Sequence, residues 1–215
     1  MDNGFSTFVS LYFKIWTQPR VILRHILDNQ PGYHVWTFVV FYAVFQAFLP
    51  IFYSPFAGRM TLDMLLLIGI LISLVIDMGA FYYFSGLGYL LGRLLGGKGT
   101  FRDLQTAYAW SYPPACIAII VLQVSQIPTW LRMMAGETNT MALLTVPQMA
   151  WQGSGRVLSL LLNLWTLVLL VVNVSEAHKI SKWRSFGLMV LLLIPITLVG
   201  IAGTLLLVFS GLIQH

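Results

Sequence analysis

Polar and apolar positions segregate along this chain into long blocks. Five stretches are almost wholly apolar, and the polar residues collect between them: Val35–Tyr53, Leu62–Gly92, Thr106–Ile127, Val157–Val174 and Phe186–Ile213. Each approaches or exceeds the about 20 apolar residues that carry a helix across a bilayer. Lipid offers no partner to backbone N–H and C=O groups, so such runs have to be helical. The pattern predicts an all-α, polytopic membrane fold with five transmembrane helices. Leu62–Gly92 is longer than one crossing needs, so it is expected to tilt, bend or extend past the bilayer, and Gly86 and Gly88 mark the place to bend. Thr106–Ile127 carries Pro113 and Pro114 in its first half.

Two further regions show weaker periodicity. Phe5, Phe8, Val9, Tyr12 and Trp16 recur at helical spacing, with Ser6, Ser10 and Lys14 largely opposite, which predicts a short helix lying on the cytoplasmic leaflet. Pro19 suits the first turn of a second short helix through about Asp28, which the sequence Asn-Gln-Pro-Gly then ends. Residues 1–34 thus read as cytoplasmic interfacial helices, and residues 35–215 as the transmembrane domain. Pro128–Gly155 is mildly amphipathic, with Trp130, Met133, Met134, Met149 and Trp151, and is expected to lie against the outer headgroups.

Composition strengthens the membrane reading. Only 9% of the 215 residues are charged, against about 25% in an ordinary soluble domain, too few to cover a globule facing water. The one cysteine, Cys116, excludes an internal disulfide and a cysteine-built metal site. The opening residues lack a basic region, and Lys14 interrupts their apolar run, so no cleaved signal peptide is expected. Lys14, Arg20, Arg24, Arg93, Lys98, Arg102, Lys179, Lys182 and Arg184 fall in alternate gaps, and only Arg59, Arg132 and Arg156 fall in the others. That asymmetry puts the N-terminus in the cytoplasm and the C-terminus outside. The basic residues are dispersed beside spans, which argues against nucleic acid and for anionic lipid headgroups.

Candidate chemistry is sparse. Gly92–Thr100 approaches a phosphate-loop pattern, but Gly99 stands where the hydroxyl belongs and no strand precedes it. Its glycines are expected to turn the backbone out of the headgroup region. Asp77 is the sharpest single residue, since an acid at mid-membrane costs about 2.5–3.5 kcal/mol. It is expected either to mark a polar path or to hydrogen-bond across helices, with Tyr112 and Asn163 as partners by depth. Glu176 and His178 stand two apart on a helix, about 200° around it, so one face cannot present both to a metal. Glu176 is expected to pair with Lys179, Arg93 or Arg102. No catalytic arrangement is present in the sequence, so the expectation is a protein that is not an enzyme and has no metal or cofactor.

Three segments together resemble one known family. They are Ile15–Tyr33, Leu94–Pro114 and Val174–Phe186, and their order and spacing are similar to those of the Yip1 family, the first segment particularly to its prokaryotic branch. The resemblance implies a five-span protein without catalytic residues, here in a bacterial inner membrane. Eukaryotic members associate with Rab GTPases and vesicle membranes of the ER and Golgi. The long polar N-terminal region of those members has no counterpart here, so a Rab partner is not carried over. Two functions remain open: a membrane organiser or adaptor with a basic cytoplasmic face, binding a protein partner or a second copy, or a small oligomeric transporter, channel or lipid-moving protein using Asp77 and the Pro113–Pro114 break.

Overall fold

The computed structural model describes residues 4–47, 61–134 and 144–213. Among them all regular structure is helical, in eight helices: α1 (Gly4–Lys14), α2 (Pro19–Asn29), α3 (Val35–Gln46), α4 (Leu62–Leu94), α5 (Phe101–Ala109), α6 (Pro113–Met134), α7 (Val146–His178) and α8 (Lys182–Ile213). Among the described residues three segments are long and apolar enough to cross a membrane: Asp63–Leu94, Phe101–Arg132 and Val146–His178. Val35–Gln46 is a shorter apolar helix; the rest of the first expected span, 48–53, lies outside the described residues.

The second run forms one continuous helix, with no break at its glycines. The helix α4 continues through Gly86 and Gly88 for 33 residues, roughly 50 Å at 1.5 Å per residue. That length exceeds the about 30 Å of a bilayer's hydrocarbon core. Gly88 serves close packing instead. A Cβ there would stand 2.8 Å from the Tyr108 hydroxyl of α5.

The third expected span is interrupted. Its first part is α5, which opens on a capping box: Asp103 N–H donates to Thr100 Oγ1 at 3.2 Å, and Thr100 N–H donates to Asp103 Oδ2 at 2.8 Å. A turn at Trp110–Tyr112 follows, and α6 starts at Pro113. A proline in a first turn gives up an N–H that has no helical partner anyway. The proline pair therefore begins a helix rather than kinking one.

The described parts of the region from Pro128 to Gly155 are helical. The helix α6 runs through Pro128 to Met134, and α7 already begins at Val146. The two pack antiparallel: Ser159 donates to the Ala118 carbonyl at 2.9 Å, a Cβ on Gly155 would strike Ser125 Cβ at 2.2 Å, and Gln152 donates to Thr129 Oγ1. The described ends of this region extend two paired helices. Amides and hydroxyls join helices well in lipid, where water does not compete.

Trp110 is the hub of the core. It is fully buried, donates its indole N–H to the Tyr33 carbonyl at 2.8 Å, and meets Phe38 edge-on at 5.1 Å. From α1, Phe8 and Tyr12 reach Phe38 at 5.7 and 6.2 Å. Ile15 and, on α2, Leu23 are completely covered. Part of the apolar stripe of the N-terminal helices is thus occupied by the protein's own core.

Candidate functional site at the charged end of α7

The last turn of α7 is buried at Asn173, Val174, Ser175, Ala177 and His178. Its C-cap residue, Lys179, takes the left-handed conformation at φ 55°. That reversal lets Ile180 N–H reach the Ser175 carbonyl at 3.1 Å and Lys179 N–H the Glu176 carbonyl at 3.2 Å, satisfying carbonyls that a helix end leaves open. The chain then turns directly into α8.

Glu176 and His178 leave this turn in different directions, as their spacing requires. Glu176 pairs with Arg24 of α2, whose Nε donates to Glu176 Oε1 at 2.8 Å and whose Nη2 donates to the same oxygen. The partners expected for Glu176, namely Lys179, Arg93 and Arg102, are replaced by this one because α2 packs across the end of α7.

His178 turns inward and is fully buried. Its Nε2 lies 3.2 Å from the Gly88 carbonyl of α4; a carbonyl only accepts, so that nitrogen carries the ring proton in this contact. Nδ1 is buried without a partner. The imidazole sits in a seat made by missing side chains. A Cβ on Gly92 would lie 2.0 Å from Nε2, and one on Gly97 would lie 2.5 Å from Nδ1. A Cβ on Gly99 would lie 2.5 Å from the Ala177 carbonyl oxygen. Backbone bonds close the seat: Lys98 N–H donates to the His178 carbonyl at 2.9 Å, and Gly97 N–H to the Gly92 carbonyl at 2.8 Å. The glycines that the sequence suggests for a turn also make room for a histidine.

The basic residues gather around this seat. Arg93, like the acidic Asp103, is near enough to His178 to interact electrostatically. Arg184 Nη1 approaches the Leu95 carbonyl at 3.5 Å. The Arg102 side chain packs over Gly32, where a Cβ would be 2.9 Å from its Nε. Lys98 and Lys182 remain exposed. Arg20, Arg24 and Lys179 line a cavity of about 440 Å³ together with Ser175, Glu176 and Ile180. Contacts at the end of α7 thus draw together three basic segments that lie far apart in sequence.

Asp77 occupies a separate place. It is half-buried, and its Oδ2 is covered without a hydrogen-bond partner. Tyr42 and Tyr112 both lie within electrostatic reach of it and stack on one another at 5.5 Å with ring planes 5° apart. Tyr112 is therefore a neighbour of the acid, without the hydrogen bond the sequence suggests. The Asn163 amide donates to the Ser159 carbonyl of its own helix at 2.8 Å. Among the described residues no cluster of three His, Cys, Asp or Glu is placed to hold a metal ion.

The chain matches the Yip1 domain over residues 13–204, almost its full length. It belongs to the Yip1 family. No curated protein and no solved structure matches it. All three segments that carry the resemblance fall within the matched Yip1 residues, and parts of each converge at the end of α7. Sequence reasoning singled out neither Arg24, whose partner is 152 residues away, nor Arg20 as cavity-lining residues in this Yip1 domain. It also did not pair Asn173 with Ser111, whose side chains bond at 2.9 Å within the interior. The available signal was the amphipathic spacing of α2, which places Arg20 and Arg24 one turn apart beside buried Leu23.

Proposed function

We propose that this Yip1 protein is a non-enzymatic membrane organiser or adaptor of the prokaryotic branch, working through a basic cytoplasmic face. In this reading five helices span a bacterial inner membrane, with the N-terminus inside and the C-terminus outside. The observation that carries it is the meeting of the three basic segments at one end of α7, through Arg24 to Glu176, Lys98 N–H to His178 and Arg184 to Leu95. Each exposed Lys or Arg near an anionic leaflet contributes about 1 kcal/mol of attraction, so a gathered set acts as one surface. In vesicles of phosphatidylcholine and phosphatidylglycerol, the wild type is expected to enrich the anionic lipid around itself. Energy transfer from its tryptophans to a labelled phosphatidylglycerol reads this. Substituting Lys179→Gln, Lys182→Gln and Arg184→Gln together should remove most of the enrichment, and an unchanged signal with topology intact would sink the reading.

The unpartnered Asp77 Oδ2 beside the Tyr42–Tyr112 stack favours a second reading, a small oligomeric transporter or lipid-moving protein. A buried acid near a helix break is what a polar path through lipid requires. Liposomes carrying wild type and Asp77→Asn separate the two readings. Ion, solute and lipid flux no greater than in empty vesicles removes the second.

A further inference from the structure

We infer that the cavity between α2 and the end of α7 is a binding site for a phosphoryl anion, held by Arg20 and Lys179. The inference rests on the basic-face reading and narrows it to one place. The cavity is lined by Arg20, Arg24, Ser175, Glu176, Lys179 and Ile180. Of its three cations, Arg24 is committed to Glu176, and that pairing also neutralises the one carboxylate in the wall. The Ser175 hydroxyl donates to the Ile180 carbonyl at 2.7 Å, so it is not a free donor. Arg20 and Lys179 have no ion-pair partner among the described residues, so two positive charges are left facing the space.

Two charges match one phosphomonoester, which carries about −1.5 to −2 near neutral pH. A guanidinium with a planar fork of donors and a compact ammonium are the two side chains that hold such a group best. Arg20 also stands in the first turn of α2, whose N-cap Gln18 makes no side-chain bond, and an uncapped helix start adds partial positive charge.

The backbone adds an independent sign. Lys179 holds φ 55° at a helix end, a conformation for which glycine is the usual residue. A lysine there gives up backbone comfort and gains an ammonium at the cavity wall. Val21, next in sequence to the lining Arg20, is an exposed apolar residue, which favours a phosphoryl group carried by a membrane lipid. Free phosphate offers the same chemistry.

Nanodiscs of phosphatidylcholine test the site, with a minority of either phosphatidic acid, a monoester, or phosphatidylglycerol, a diester. Native mass spectrometry of the released protein counts retained lipid. Two double variants remove the same net charge: Arg20→Gln with Lys179→Gly in the cavity, and Lys182→Gln with Arg184→Gln outside it. Lys179→Gly relieves the left-handed backbone, and protection of buried Cys116 from a thiol reagent checks that each variant is folded. Wild type should retain phosphatidic acid in preference to phosphatidylglycerol. The cavity variant should lose at least about tenfold in that retention, as loss of charge-assisted hydrogen bonds implies, and the outer variant far less. Equal losses in the two variants overturn the site while leaving the basic-face reading standing, and no loss in either overturns both. Absence of monoester preference in the wild type also overturns the site. Displacement of phosphatidic acid by added inorganic phosphate supports the site and assigns it to a soluble phosphoryl ligand.

Discussion

Replacing Gly92 by alanine should damage this fold more than any inspection of the sequence suggests. The added Cβ would sit 2.0 Å from His178 Nε2 and 2.4 Å from Cε1, whereas ordinary contact begins at 3.4 Å. The ring must therefore retreat by more than an ångström from a position that is fully buried. Overpacking of this kind costs about 1–3 kcal/mol. Breaking the Nε2 contact with the Gly88 carbonyl leaves buried polar groups unpaired, for about 1–3 kcal/mol more. Alanine's better helix propensity returns up to about 1 kcal/mol, so the expected net loss is roughly 1–5 kcal/mol. Cys116 is the chain's one cysteine and is buried, so thiol labelling during detergent denaturation reports the unfolding midpoint. Gly79→Ala is the control, because nothing lies within 4 Å of its Cβ position, and it should leave the midpoint unchanged or slightly raised. In a His178→Ala background the penalty of Gly92→Ala should largely disappear, since the clashing atoms belong to the ring. A penalty that persists without the imidazole, or a Gly92→Ala as harmless as Gly79→Ala, refutes the argument.

The Arg24–Glu176 pair should behave differently, because Arg24 remains largely in solvent. A double-mutant cycle with Arg24→Gln and Glu176→Gln is expected to give a small coupling that fades as salt is raised; strong coupling at high salt would contradict the assigned geometry. Tyr12 supplies a pH dependence. Burial, with a further contribution from Cys116, pushes its phenol from the ordinary 10.0 up to about 12. The neutral form is favoured in the folded state, so its contribution is intact below pH 10.0 and is lost as pH rises through about 12. Absorbance at the phenolate band should show Tyr12 titrating late, and Tyr12→Phe should remove that part of the alkaline loss; an unchanged loss in the variant excludes it.

Local rules made the N-terminal helices and the apolar segments readable. Pro19 at a first turn and the residues Asn29–Gly32 bracket α2 closely, because each acts on the backbone within a few residues. The proline pair at 113–114 was harder. Inside an apolar run, hydropathy has no feature that separates one long helix from two helices joined by a turn. Beside the break Trp110 reaches back to Tyr33, a contact across 77 residues that no local rule reveals. The candidate site shows the same limit. Helix geometry separates Glu176 from His178 on sequence alone, but neither the Arg24 partner nor the glycine seat follows from spacing. Both are set by how α2 and α4 pack on α7.

The seat also constrains the order in which this protein can be completed. Its walls come from residues 88–99, and its occupant is 90 residues beyond Gly88. At a synthesis rate of about 5–20 residues per second, those 90 residues take roughly 5–18 s to emerge. Throughout that interval the groove along Gly92 and Gly97 has no histidine to fill it, and Lys98 N–H has no His178 carbonyl to meet. The helices α5, α6 and α7 must all be made before the end of α4 reaches its final packing. Closure of the seat is thus a late event of assembly, governed by the arrival of one side chain.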